Sequence, residues 1–386
     1  MTVFKKWFMK KKVFIIAGEK SGDLLGSKIL KGLDKNKFDV YGIGGEAMKS
    51  EGLNSLFPME ELSVMGVFEI LPKIFSLLKR IKETAKKIME LQPDVVLTID
   101  SPDFCFRVMK MVKKLDLNNR IKKVHLIAPS VWVYRKNRAK KIAKIYDLLL
   151  CILPFEPPYF EKYGLKTVFV GHPVFDDVVA DNHYDKNSKV VSITVGSRKS
   201  EVKNLLPIAI GVVNKIKDKE RYKYYILATE YTYNYVIDEL NKRDISYIHV
   251  VKNTDEKDEI IKNSVLAIAK SGTNALELAG FSIPMVVFYR FNFLTNIIAK
   301  MVRARSSVKY ATIINIMNNR EIIPEYLLDR CKEMSIVNGV NKLLENEDLR
   351  LTQIKNNVET IQKLGYGNSN PSSVKIVNEI KELLNV

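Results

Sequence analysis

Short polar stretches at the ends of apolar runs carry the residue types that group-transfer chemistry needs. The run Pro93–Ile99 ends in Asp100-Ser101-Pro102-Asp103-Phe104, which sets two carboxylates three residues apart. An aspartate of ordinary pKa, near 4, is ionised at neutral pH. One of the pair can therefore deprotonate a sugar hydroxyl while the other orients it. Asp103 can equally serve as a helix cap. A second stretch, Lys270-Ser271-Gly272-Thr273, separates the run Val265–Ala269 from the helix-like Ala275–Ala279. Gly272 lets backbone approach a phosphate, and Ser271 or Thr273 can cap the helix. Glu277, about one turn in, either accepts hydrogen bonds from ribose hydroxyls or is an ordinary surface glutamate. Arg198 follows Gly196-Ser197, and its planar fork suits a diphosphate. The turn Gly18–Asp23 and the glycines at 42, 44 and 45 lack the GxGxxG spacing of a dinucleotide site. His172, between Gly171 and Pro173, is either catalytic or structural.

The elements that must position these groups are strands alternating with helices. Apolar runs predict strands at Val13–Ala17, Phe38–Ile43, Pro93–Ile99, Lys123–Ala128, Asp147–Leu153 and Thr167–Val170. A polar stretch, 176–188, reads as a linker. The pattern restarts with strands at Val190–Val195, Tyr224–Ala228, Ile245–Val251, Val265–Ala269 and Met285–Tyr289. Two strand–helix series of similar size predict an α/β protein of two Rossmann-like domains facing across a cleft, with ligands at strand ends. The expected organisation is a basic aromatic tail at 1–12, domains at 13–175 and 189–345, and helices over 346–386.

With 386 residues and a formal charge of +18, the chain implies an anionic partner such as nucleic acid, a membrane surface or a phosphorylated substrate. Lysines are spread along most of it, so a generally solvated basic surface is the alternative. The three cysteines are widely spaced and suggest neither disulfides nor a zinc site. No window is long and apolar enough for a spanning helix. Residues 59–89 are apolar in their first half, with Val64, Met65, Val67, Phe68, Ile74 and Phe75, and lysine-rich afterwards. This suits a membrane-dipping surface or an acceptor groove, or else a core helix kinked at Pro72. Residues 290–305 are a second candidate of that kind.

Taken together, AGEKSGD (17–23), MEELSVMG (59–66), DSPDF (100–104), APSVW (128–132), LPFE (153–156), VGHP (170–173), GSRKSEV (196–202) and SGTNALE (271–277) resemble the lipid-A-disaccharide synthase family. The resemblance runs in order from about Val13 to Pro324. It implies a GT-B fold with C-terminal helices returning to the N-terminal domain. The implied activity is inverting transfer from UDP-2,3-diacylglucosamine to 2,3-diacylglucosamine 1-phosphate, on the cytoplasmic face of the inner membrane. Asp103 matches the family's general base and Asp100 another acidic position of that segment. Arg198, with Gly196 and Ser197, matches the arginine loop near the donor phosphates. Ser271, Gly272 and Thr273 match the diphosphate turn, and Glu277 the ribose glutamate. Asn315 and Arg320 match polar positions of a later donor loop. Ser21, Asp23, Ser130 and Trp132 fall on the acceptor side. The implied partners are the two acylated substrates and an anionic membrane surface, without nucleic acid, cofactor or metal, and with room for a homodimer. Where the family commonly has Pro-Gly-Ser-Arg-Gly, this chain has Val195-Gly196-Ser197-Arg198-Lys199. Competing readings are a GT-B transferase or 2-epimerase acting on UDP-N-acetylglucosamine, and a basic binding module without catalysis.

Overall fold

The computed structural model describes residues 10–62, 67–133, 136–178, 184–252, 255–290 and 308–386, with backbone only at 67–74 and 255. It divides into one unit of Met1–Asp176 with Ser369–Val386 and another of Asp177–Asn368.

The first unit is built on strands β1 (Lys11–Ala17), β2 (Phe38–Ile43), β3 (Val95–Ile99), β4 (Lys122–Leu126), β5 (Leu148–Cys151) and β6 (Lys166–Phe169). All pair in parallel, in the order β2-β1-β3-β4-β5-β6. Its helices are α1 (Lys20–Gly32), α2 (Glu46–Ser50), α3 (Val67–Leu91), α4 (Pro102–Leu115), α5 (Arg138–Ala143) and α6 (Pro158–Glu161). Alternate side chains of β1 and β3 enter separate cores. Phe14, Ile16 and Val96 pack with α3 and α4 on one face, whereas Val13, Ile15 and Leu97 pack with α1 on the other. Pro72 lies inside α3, which runs through it without a break in the assigned helix. At the β1–β2 contact a Cβ on Gly42 would stand 1.9 Å from the Ile15 carbonyl oxygen, so only glycine fits.

The second unit repeats the plan with β7 (Val190–Ile193), β8 (Lys223–Leu227), β9 (Ile248–Val251), β10 (Ser264–Lys270), β11 (Met285–Tyr289) and β12 (Glu325–Leu327). The order is β12-β11-β10-β7-β8-β9, again parallel. The helices α7 (Lys199–Lys215), α8 (Glu230–Asn241), α9 (Asp255–Lys262) and α10 (Asn274–Gly280) connect these strands. β12, three residues long, is the strand that the apolar pattern missed.

The helices over 346–386 part company. The helix Glu347–Gln362 stays in the second unit, where the Gln353 amide accepts from the Met285 N–H (2.6 Å) and donates to the Met285 carbonyl (3.1 Å). The last helix, Ser372–Leu384, returns to the first unit and buries Ile376, Val377, Ile380 and Leu384 against α1. Asp176 accepts from the N–H groups of Ser372 (2.7 Å) and Ser373 (3.1 Å), so the chain's departure and return are tied together. Ile380 is fully buried. Truncation there leaves a cavity, so Ile380→Ala should destabilise the first unit by about 2–4 kcal/mol. Urea unfolding checks this, and an unchanged midpoint would show that the returning helix is dispensable to that core.

Candidate active site

The candidate side chains gather near the carboxyl ends of the strands, because there the apolar runs stop and backbone turns toward solvent. In the first unit β3 ends in two consecutive left-handed residues, Asp100 (φ 50°) and Ser101 (φ 43°), and the end of β4 has a third, Ile127 (φ 74°). Non-glycine residues persist there only when their surroundings over-determine them. Asp100 donates its N–H to the Leu126 carbonyl (3.0 Å), and a Cβ on Gly18 would meet Ser101 Oγ at 2.4 Å. The glycine at the end of β1 therefore makes room for the strained turn.

Ser101 is the N-cap residue of α4 and Asp103 lies in its first turn. The Asp103 carboxylate does not cap the helix. It turns outward, 82% exposed, and its Oδ1 accepts from Arg138 Nη2 at 2.8 Å. Arg138, at the start of α5, also lies over the Phe106 ring at 4.9 Å. Beneath it is a closed polar cluster in which Thr98 Oγ1 meets His125 Nδ1 at 2.7 Å and donates toward Tyr146 Oη at 3.2 Å. Burial, reinforced by the Arg138 charge, lowers the His125 pKa to about 3 and keeps the ring neutral. Asp100 is mostly buried, and that desolvation raises its carboxyl above the ordinary range against the opposing Ser101 N–H bond. A pocket of about 230 Å³ opens between Asp100, Pro102, Ile127, Ser130, Val131 and Arg138.

Other expected residues of this unit hold the scaffold. Asp23 is buried, and its carboxylate accepts from the N–H groups of Gly45 (2.7 Å), Ala47 (3.0 Å) and Met48 (3.1 Å), capping α2. Ser21 stands exposed in the first turn of α1. Trp132 is buried, with its indole N–H on Glu156 Oε1 at 3.2 Å. Burial drives the Glu156 pKa up to about 7, against the Trp132 and Leu153 N–H bonds. His172 is also buried, and its Nδ1 accepts from the Val174 N–H at 3.3 Å. Val64 and Met65 lie outside the described residues, as do the side chains of Val67, Phe68 and Ile74 and the segment 291–307. Phe75, next on α3, is 82% exposed.

In the second unit the loop after β7 carries Gly196 at φ 106°. Any side chain there would strike Glu201, whose Oε2 would be 2.5 Å from the added Cβ. Glu201 is buried in the first turn of α7 and gathers the surrounding donors. Its Oε2 accepts from the Ser197 N–H at 3.1 Å. Its Oε1 takes the Lys270 ammonium (3.1 Å), the Tyr289 hydroxyl (3.3 Å) and, more distantly, Arg198 Nη1 (3.8 Å). Burial opposes ionisation of Glu201, but Lys270, the Ser197 N–H and Arg198 outweigh it and hold the pKa below the ordinary value. Arg198 itself is half exposed.

A hydrogen-bonded chain continues from there. The Lys270 N–H donates to Thr194 Oγ1 (3.0 Å), and that hydroxyl donates to Asn274 Oδ1 (2.8 Å). Asn274 Nδ2 then donates to Glu277 Oε2 (3.2 Å), while Lys257 holds Glu277 Oε1 at 2.6 Å. Ser271, Gly272 and Thr273 form the turn between. Ser271 donates its N–H to the Phe288 carbonyl, and Gly272 sits at φ 141°.

Asn315 and Arg320 do not join this group by any contact. Asn315 is fully buried: its Nδ2 serves the Ile323 carbonyl (2.7 Å) and Glu325 (2.9 Å), and its Oδ1 accepts from the N–H groups of Ile322 (2.8 Å) and Ile323 (2.9 Å). Arg320 donates to Asn356 Oδ1 at 2.6 Å. Sequence reasoning missed the partners Arg138, Glu156, Glu201 and Lys270. A usable signal exists for Glu201, which lies one helical turn beyond Arg198, and for Lys270, which directly precedes the 271–273 turn. Among the described residues no group of three or more His, Cys, Asp or Glu side chains could hold a metal ion, and no helix is long and apolar enough to cross a membrane.

Comparison with known proteins matches residues 13–378 to the family model for lipid-A-disaccharide synthetase, LpxB. A lipid-A-disaccharide synthase of Rickettsia bellii (strain OSU 85-389) is 39% identical over 385 residues, covering 96% of this chain and 99% of that one. Its counterpart in Rickettsia prowazekii (strain Madrid E) is 36% identical over 384 residues, with 96% and 99% covered. Among solved structures, Staphylococcus aureus MnaA with UDP superposes with a TM-score of 0.64 at 16% identity, over 97% of both chains. The UDP-GlcNAc 2-epimerase of Neisseria meningitidis bound to UDP-GlcNAc gives a TM-score of 0.62 at 12% identity, over 97% of this chain and 100% of that one. These structures share the GT-B type of fold, which in this chain is two parallel six-stranded α/β units, and at such identities they speak to the fold alone. The nearly full-length match in sequence goes further, and the chain belongs to the lipid-A-disaccharide synthetase family.

Proposed function

We propose that this protein forms the lipid A disaccharide, joining the glucosaminyl unit of UDP-2,3-diacylglucosamine to the 6-hydroxyl of 2,3-diacylglucosamine 1-phosphate with release of UDP. The observation that carries this reading is family membership over residues 13–378. In the reaction the acceptor oxygen attacks the anomeric carbon on the face opposite UDP. The bond from that carbon to the diphosphate oxygen breaks, UDP leaves with the electron pair, and the hydroxyl proton passes to Asp103. Arg138 occupies Oδ1 of Asp103, which leaves Oδ2 for the proton. Asp100, carried on the same strained turn, supplies a second carboxyl beside the pocket.

The donor is assigned to the second unit. Arg198 and the backbone N–H groups of Gly272 and Thr273 take the diphosphate and offset the charge that develops on UDP. Glu277, fixed by Lys257 and Asn274, takes the ribose hydroxyls. Acylated substrates place the enzyme at the inner-membrane surface. Exposed Phe75 and Leu78 beside Lys79 and Lys82 on α3 support that assignment, since apolar groups among cations suit an anionic bilayer.

Incubation with both acylated substrates should give a disaccharide phosphate and UDP by mass spectrometry. Consumption of UDP-N-acetylglucosamine instead would move the protein to the soluble-substrate readings. Asp103→Asn removes the proton acceptor with little change of shape. It should lower transfer by about 10²–10⁴-fold while UDP affinity stays within about twofold, and a fully active variant would exclude Asp103 as base. Glu277→Ala should weaken binding of the UDP-sugar by about tenfold, the loss of one or two good hydrogen bonds, with acceptor KM unchanged. Unaltered donor affinity in that variant would remove the ribose assignment.

A further inference from the structure

We infer that Lys270, paired with buried Glu201, is a second phosphate-binding cation of the donor site. The inference rests on the donor-site reading above and adds to it a residue outside the arginine loop and the 271–273 turn. Lys270 is the last residue of β10, directly before that turn. Its ammonium lies 3.1 Å from Glu201 Oε1 and 5.7 Å from the Tyr289 ring centroid, and its side chain keeps 22% of its exposure. An ammonium has three N–H donors, and Glu201 needs one of them. Beside it is Gly272, where a Cβ would stand 3.7 Å from the Lys270 Nζ. The glycine therefore leaves that side of the ammonium uncovered, on the turn whose backbone is to meet the diphosphate.

Charge completes the argument. Glu201 is a single carboxylate, buried between Lys270 and Arg198, and both cations reach the same oxygen. One carboxylate thus holds both side chains near one point. A flexible lysine held in this way loses less freedom when an anion arrives, which favours binding. The backbone of Lys270 is fixed as well, through Thr194 and Asn274, to the glutamate assigned to the ribose. A lysine that served only as counter-ion to Glu201 would explain the pair but not its uncovered side at the turn.

The test compares UDP, measured by calorimetry, with uridine, measured by ligand-observed NMR, because uridine lacks the phosphates. Lys270→Gln keeps a donor for Glu201 and removes the charge, and Lys270→Met removes both. Each should raise the Kd for UDP by about tenfold, as expected for a charge-assisted hydrogen bond, with uridine binding unchanged. Thermal denaturation separates folding from binding: Lys270→Gln should melt near the wild type, so its lost UDP affinity cannot be assigned to a stranded carboxylate. Wild-type UDP affinity in Lys270→Gln, or an equal loss of uridine and UDP, would overturn the role of Lys270. A wild-type protein that binds no UDP would instead overturn the donor-site reading and this inference with it.

Discussion

Burial of both faces of two parallel sheets is the constraint on which the rest of this molecule depends. Every residue of β3 is buried, and β10 is buried up to its last residue, Lys270. Strands so placed have no room for an unpaired charge, because desolvation would cost several kcal/mol. The exception in β4 illustrates the rule. Lys123 is almost fully buried, and its ammonium is enclosed by Asn119, the Ile121 carbonyl, Asp116 and Asp147. Elsewhere in these strands charged groups come in where burial ends, and Asp100 and Lys270 stand at such ends.

The two units handle their charged groups differently. In the first, Asp103 and Arg138 are linked at the surface of a closed, neutral cluster of Thr98, His125 and Tyr146. The backbone before Asp103 carries left-handed residues at 100 and 101, and the exposed carboxylate is paired with Arg138 rather than spent on a cap. In the second, a buried carboxylate meets two cations, and one hydroxyl, Thr194, connects the backbone of Lys270 to Asn274 and through it to Glu277. A polar network buried this far is stable only when each member is satisfied. That requirement accounts for Gly196, where any side chain would displace Glu201.

Much of the fold was legible from local pattern. Apolar runs bounded by glycine, proline or polar turns located β1 to β11, because a buried parallel strand needs no partner to be recognisable. β12 was not, since a three-residue strand that begins with Glu325 is too short for its apolar residues to read as a run. Glu325 is itself buried, and accepts from Ala311, Thr312 and Asn315. Asp23, Trp132 and Asn315 read as ligand contacts because polar and aromatic residues near strand ends look alike in sequence, whatever they touch. In the structure they cap a helix, anchor the indole on Glu156 and brace the turn before β12.

The sequence by itself determined the α/β class and the two series of parallel strands, and it singled out Asp103, Arg198 and Glu277 as candidates in the segments that follow them. These follow from periodicity, turn chemistry and motif order, all of which are local along the chain. Only the tertiary structure decided which side chains meet. Arg138 reaches Asp103 from 35 residues away. Lys270 and Tyr289 reach Glu201 from other strands, and the last helix crosses back to α1. Such pairings arise from how crossovers stack strand ends side by side. Ion pairs and hydrogen bonds act over a few ångströms of space, so distance along the chain does not reveal them.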